Sequence, residues 1–161
     1  MTIKVGDQLP HAKFTIMGPD GPRPATTEDI FKGKKVALFA VPGAFTPTCS
    51  EQHLPGFLAD LDAIKAKGVD MVACTAVNDI FVLNAWAKAR NADGKITMLA
   101  DGNSEFAKAN GLEIDLAPFG LGMRSKRYAM IVDDGVVSYL GVEDSPPAHE
   151  KATATKLLAA L

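Results

Sequence analysis

The chain has 161 residues, 47% apolar and 22% charged, with a formal net charge of −2, which is enough for one ordinary globular domain over residues 1–161. Near-neutral charge without a basic block argues against nucleic acid or a membrane surface as partner. No run is long enough to cross a bilayer, and the opening "MTIKVGDQLPHAKF" lacks an apolar stretch of signal-peptide kind, so a cytoplasmic protein is expected.

The first strong element is "VALFAV", Val36–Val41, a continuous apolar run ending at Pro42-Gly43 and suited to a buried strand. A loop follows, then Leu54, Leu58, Leu61 and Ile64 recur at helical spacing, with Pro55 expected to kink the helix and Gly68 to stop it. "VDMVACTAV", Val69–Val77, reads as a second buried strand, with Val72, Cys74 and Ala76 on one face. Asn78 or Asp79 caps the helix "IFVLNAWAKAR", whose buried set is taken as Phe81, Val82, Ala85 and Trp86. "ITMLA", Ile96–Ala100, is a third strand, and a short helix carrying Phe106 stops at Gly111. "RYAMIVD" and "VVSYLGV" flank Asp134-Gly135, a hairpin signal, and Ser145-Pro146-Pro147 is expected to open a C-terminal helix ending in "KLLAAL". Strands and helices alternate before the hairpin, which predicts an α/β fold: a central mixed sheet flanked by helices, of an order compatible with thioredoxin.

The chain has two cysteines, Cys49 and Cys74, too far apart for a CxxC pair and in no zinc pattern. The histidines His11, His53 and His149 are scattered, and neither a metal site nor a cofactor is expected. Thr48-Cys49-Ser50-Glu51 matches a capping box with Thr48 as N-cap, which makes Cys49 the first helical residue. Unpaired N–H groups and the positive end of the helix dipole then favour a thiolate, the form that attacks electrophiles. A small buried apolar residue is the alternative, and the cap alone leaves both open.

The stretch "PGAFTPTC" fits the Pro-x-x-x-Thr-x-x-Cys motif of peroxiredoxins, and "SEQHLPGF" resembles the peroxiredoxin-5 branch, the type II or atypical group of plants and bacteria. The resemblance runs on through "VNDIFVLNAWAK", "LADGNSEFAKANGLEIDL", "GLGMRSKRYAMIVDDGVV" and "GVED", nearly the whole chain. It implies a thioredoxin-like fold and a thiol-dependent peroxidase for hydrogen peroxide and alkyl hydroperoxides, without metal or bound cofactor. It also implies that Cys49 is the peroxidatic cysteine, Thr46 a hydroxyl donor to sulfur and peroxide, Arg127 the cation aimed at the same oxygens, and Pro42 a shield against water. Arg124 competes with Arg127 and is set aside because the family's arginine immediately precedes the aromatic residue of the strand, here Tyr128. Thr48 and His53 are candidate substrate contacts; His53, one turn after Cys49, is either that or structural.

Cys74 is either a resolving cysteine, as some plant-type relatives have at this spacing, or inert in mid-strand. The segment after Gly141 holds no cysteine, so the C-terminal resolving arrangement of other relatives is excluded. The implied reductant is an external thiol, glutathione with glutaredoxin or thioredoxin, and the implied assembly is a homodimer. "LAPFGLG", Leu116–Gly122, offers an apolar rim suited to alkyl hydroperoxides. A thiol–disulfide oxidoreductase and a redox-sensing or chaperone-like protein are the competing readings.

Overall fold

A computed structural model describes residues 2–161. Its centre is a seven-stranded mixed sheet. In chain order the strands are β1 (Lys13–Gly18), β2 (Gly21–Thr26), β3 (Lys35–Ala40), β4 (Met71–Ala76), β5 (Thr97–Ala100), β8 (Tyr128–Asp133) and β9 (Val136–Val142), arranged in space as β2-β1-β5-β4-β3-β8-β9. A separate hairpin joins β6 (Glu113–Asp115) to β7 (Met123–Ser125). Strands β3, β4 and β5 run parallel, as expected of runs buried on both faces. The β8–β9 hairpin turns at Asp134-Gly135, both at positive φ (47° and 83°), the conformation that Asp-Gly supplies to a two-residue turn.

Side-chain alternation divides the core. Ala37 and Phe39 of β3, Val72, Cys74 and Ala76 of β4, and Ala129 and Ile131 of β8 face one cluster. Val36, Leu38 and Ala40, with Ala73, Tyr128, Met130 and Val132, face the other. The first cluster is covered by α2 (Leu54–Ala59), α3 (Leu61–Ala66), α4 (Ile80–Ala89) and α6 (Ala154–Ala159). The second is covered by α1 (Thr27–Phe31) and α5 (Glu105–Ala109). No helix among the described residues is long and apolar enough to cross a membrane.

Three expectations are corrected. In α4 the buried residues are Ile80, Leu83, Trp86 and Ala87, while Phe81 is 65% exposed and Ala85 faces solvent. Asp79 caps the helix by accepting from the Val82 N–H, and this start sets the phase that points Phe81 outward. The last helix begins at Ala154 behind a Thr153 cap, not at Ser145. Pro146 and Pro147 have no N–H to give, and the N–H groups of residues 150–152 are taken by the Glu143 carboxylate. The third correction concerns the start of the helix that carries Cys49.

Topology places two segments side by side. Strand β8 is antiparallel to β3, with Ala40 opposite Tyr128. The loop leaving β3 and the residues entering β8 therefore meet at one corner of the sheet, beyond the carboxyl end of β3.

Candidate active site

The loop leaving β3 contains Pro42, Thr46 and Cys49. The first α-helical bond is Ser50 N–H to the Thr46 carbonyl, 3.0 Å, so helix begins at Pro47 and Thr46 occupies the cap position. Thr48 is already helical (φ −62°, ψ −39°) and makes no side-chain cap bond, so the Thr48–Glu51 capping box does not form. Pro47 explains the shift: proline is preorganised for the first helical position and lacks the N–H a cap would have to satisfy. Cys49 nevertheless lies in the first turn, where helical N–H groups lack intrahelical partners.

Residues Cys49–His53 form a π-helical turn in which the Leu54 N–H reaches the Cys49 carbonyl. Pro55 follows immediately and cannot donate back along an α-ladder, so the wider turn stands where a kink was expected. The turn carries His53 inward: its ring is 0% exposed and lies 4.9 Å from that of Phe39.

Arg127 enters this corner from the adjoining strand end. Its Nη2 donates to the Cys49 sulfur at 3.0 Å and to the Pro146 carbonyl at 3.2 Å, and its Nε reaches the same carbonyl at 3.3 Å. Its Nη1 lies 2.9 Å from His53 Nδ1. On the other side of the ring, Nε2 is 2.8 Å from the Ala152 carbonyl, an acceptor only, so Nε2 carries the proton. Nδ1 is then free to accept from the guanidinium. Burial first, then the Arg127 charge and neighbouring His149, hold His53 well below the ordinary histidine pKa, against the raising effect of its bond to Ala152. The ring is neutral and takes none of the cation's charge away from the sulfur.

Arg127 is 3% exposed, yet among the described residues no carboxylate pairs with it: its bonded acceptors are a thiol, an imidazole and a backbone carbonyl. A cation placed this way stabilises negative charge that develops on an oxygen brought next to the sulfur. The competing arginine, Arg124, donates instead to the Leu121 and Val77 carbonyls.

A cleft of about 420 Å³ leads to Arg127, lined by Pro42, Thr46, Thr48, Leu116, Phe119 and Pro146 among others. The Thr46 hydroxyl donates to the Gly43 carbonyl at 2.6 Å, and the Thr48 hydroxyl lies 3.5 Å from the Pro147 carbonyl. Another hollow, of about 440 Å³ near Lys65, Asp93 and Met98, has neither cysteine nor Arg127 in its lining.

The family model described as Redoxin matches residues 4–158. Chloroplastic peroxiredoxin-2E-2 of Oryza sativa subsp. japonica is 47% identical over 165 aligned residues, covering 99% of this chain and 73% of the relative. This chain is a peroxiredoxin. The structure of reduced Prx3 from Vibrio vulnificus in complex with hydrogen peroxide is similar throughout, with 52% identity, a TM-score of 0.94 and 99% of each chain covered. Peroxiredoxin 5 from Alvinella pompejana superposes with a TM-score of 0.85 at 37% identity, covering 98% of this chain and 97% of that one. The fold is thioredoxin-like, the type is that of peroxiredoxin-5, and the activity is that of a thiol-dependent peroxidase.

Within this peroxiredoxin Cys49, Arg127, Pro42, Thr46, Thr48 and His53 all lie at one corner. Cys74 lies on the same sheet face but inside the ladder, between Phe39 and Met98. Both thiols are free and buried. Burial pushes the Cys74 thiol pKa well up; neighbouring Cys49 adds to the effect and Arg127 opposes it. Among the described residues no group of three or more His, Cys, Asp or Glu is placed to hold a metal ion.

Sequence reasoning missed three contributors, the Pro146 carbonyl, the Ala152 carbonyl and Glu143. Two are backbone groups, which carry no side-chain signal. Glu143 belongs to the "GVED" segment of the family resemblance, and its burial was the missing information.

Proposed function

We propose that this peroxiredoxin reduces hydrogen peroxide and alkyl hydroperoxides through Cys49. The thiolate attacks one peroxide oxygen; the O–O bond breaks, an S–O bond forms, and the leaving oxygen departs as water or alcohol after taking a proton. Sulfur is oxidised to sulfenic acid as the peroxide is reduced. Arg127 stabilises the charge passing from sulfur to the leaving oxygen, and the Thr46 hydroxyl turns from the Gly43 carbonyl to meet the incoming peroxide. Pro42 keeps water from the sulfur. Thr48 borders the substrate's path, and His53 orients Arg127.

The observation that carries this reading is the 3.0 Å approach of Arg127 Nη2 to the Cys49 sulfur in a buried corner without a competing carboxylate. The sulfenic acid is released by external thiol, glutathione with glutaredoxin or thioredoxin. One thiol displaces water to give a mixed disulfide, and a second thiol frees Cys49. Cys74 takes no part: it is held in the ladder between β3 and β5, and burial raises its thiol pKa well above the ordinary value.

The apolar residues Leu116, Phe119 and Leu121 along the cleft support alkyl hydroperoxides as substrates. Exposed Phe45 and Phe119, 55% and 75%, support a homodimer formed through this face. Two free thiols suit a reducing cytoplasm.

Peroxide consumption with supplied reductant tests the reading. The parent and Cys74→Ser turn over, while Cys49→Ser stays folded and inert. Turnover by Cys49→Ser would overturn the proposal.

A further inference from the structure

Glu143 is the first residue after β9. Its N–H bonds the Arg127 carbonyl at 2.9 Å, so it starts from the same corner as the guanidinium. Its side chain is turned to a different task. Oε2 accepts three successive backbone N–H groups, from Glu150 at 2.8 Å, Lys151 at 2.6 Å and Ala152 at 2.6 Å. The residue is 6% exposed. Successive amides converging on one anion form a nest, and a charged acceptor inside it fixes the backbone of those residues.

That backbone has no other regular support. Residues 143–152 contain neither helix nor strand. The loop lies tight on β9: the Tyr139 hydroxyl donates to the Lys151 carbonyl at 3.1 Å, and a Cβ at Gly141 would collide with that carbonyl. Two of the groups that set Arg127 come from this loop. The Pro146 carbonyl bonds the guanidinium directly, and the Ala152 carbonyl holds the His53 ring whose Nδ1 accepts from Nη1.

We infer that Glu143 is a positioning residue for the peroxidase reaction. Its carboxylate folds the 144–152 loop so that the Pro146 and Ala152 carbonyls, the latter through His53, aim the Arg127 guanidinium at the Cys49 sulfur. It touches neither sulfur nor substrate. The inference rests on the roles proposed above for Cys49 and Arg127.

The test compares Glu143→Gln, which keeps the shape but not the charge, with Glu143→Ala, each alone and combined with Arg127→Gln. The readouts are the second-order rate of Cys49 oxidation by hydrogen peroxide in the reduced protein and the imidazole 15N signals of His53. Misaiming of about an ångström costs on the order of 10- to 100-fold, so the alanine variant should slow by that much and the glutamine variant by less. With Arg127→Gln already present, each change should cost less than about twofold, because the two residues act through one pathway. The His53 Nε2–H signal should shift in both variants as the Ala152 carbonyl moves.

Oxidation within about twofold of the parent in both variants, or an equal loss with and without Arg127, overturns the inference. So does an unmoved His53 signal. Glu143→Gln decides the matter if the alanine variant unfolds. The NMR readout reports on the loop even if Cys49 proves not to be the reacting sulfur, a failure that would appear instead as a parent whose Cys49 is not oxidised.

Discussion

Arg127 Nη2 and the Cys49 sulfur lie 3.0 Å apart, and both residues are buried. They stand far apart in sequence, and they meet because β8 runs antiparallel to β3, which sets the start of one strand against the end of the other. The corner that joins them is thus a consequence of strand order, and the π-helical turn adds His53 to it.

Thr46 stands at the helix cap position with its hydroxyl on the Gly43 carbonyl, and the proposal above turns that hydroxyl to the peroxide. Thr46→Val should lower kcat/KM for hydrogen peroxide by about 100-fold or more, the scale of losing one aimed donor. Thr46→Ser keeps the hydroxyl and should stay near the parent rate. Steady-state kinetics on both variants checks this, and equal losses would assign the residue to packing alone.

Cys74→Ala should leave peroxide turnover with external thiol unchanged. The small cavity it leaves in the core cluster should cost roughly 1 kcal/mol of stability. Chemical denaturation together with a turnover assay reads both effects. A strong loss of turnover would restore Cys74 as a resolving cysteine.

Stability should fall as pH falls below the ordinary histidine range. His53 is held neutral in the fold, chiefly by burial, and His149 is lowered as well, again chiefly by burial. Above about pH 6.5 both rings are neutral in the folded and unfolded chains, and their contribution is fully present. Below it the unfolded chain takes up protons that the fold refuses, so stability drops until the depressed folded pKa is passed. The slope from His53 approaches about 1.4 kcal/mol per pH unit. Urea unfolding at a series of pH values should show this decline, and His53→Gln should flatten it. A parent curve with no decline between about pH 6.5 and 5 would contradict the neutral ring.

Much of the fold is legible in the sequence. The strands β3, β4, β5 and β8 are short apolar runs bounded by turn residues, and a strand buried on both faces has no other way to be written. The hairpin β1–β2 left no such trace because β2 is a solvent-facing edge strand containing Pro22 and Pro24. The family motif names Pro42, Thr46, Cys49 and Arg127, and the fold brings these four together. At the helix start a capping-box pattern competes with Pro47, and proline wins. The loop that aims Arg127 carries a helix-start pattern at Ser145-Pro146-Pro147, but its conformation is set by Glu143, a partner that local pattern cannot reveal.

The cleft should sort substrates. Phe119 is 75% exposed at its edge, so Phe119→Ser should raise KM for a bulky alkyl hydroperoxide several-fold, on the order of 1 kcal/mol of lost apolar contact. Hydrogen peroxide, with no apolar part, should be reduced at the parent rate. Parallel kinetics with both substrates reads the difference, and equal effects on the two would remove the rim from specificity.

The central claim is that a buried guanidinium activates the Cys49 sulfur toward peroxide. Its most direct test is time-resolved intact-mass and peptide analysis after one equivalent of hydrogen peroxide, with a sulfenic-acid trap, on the parent and on Arg127→Gln. The parent should carry the trap on Cys49 alone, and the variant should lag by about 100-fold or more. A trap found on Cys74, or a variant that oxidises as fast as the parent, would contradict the account.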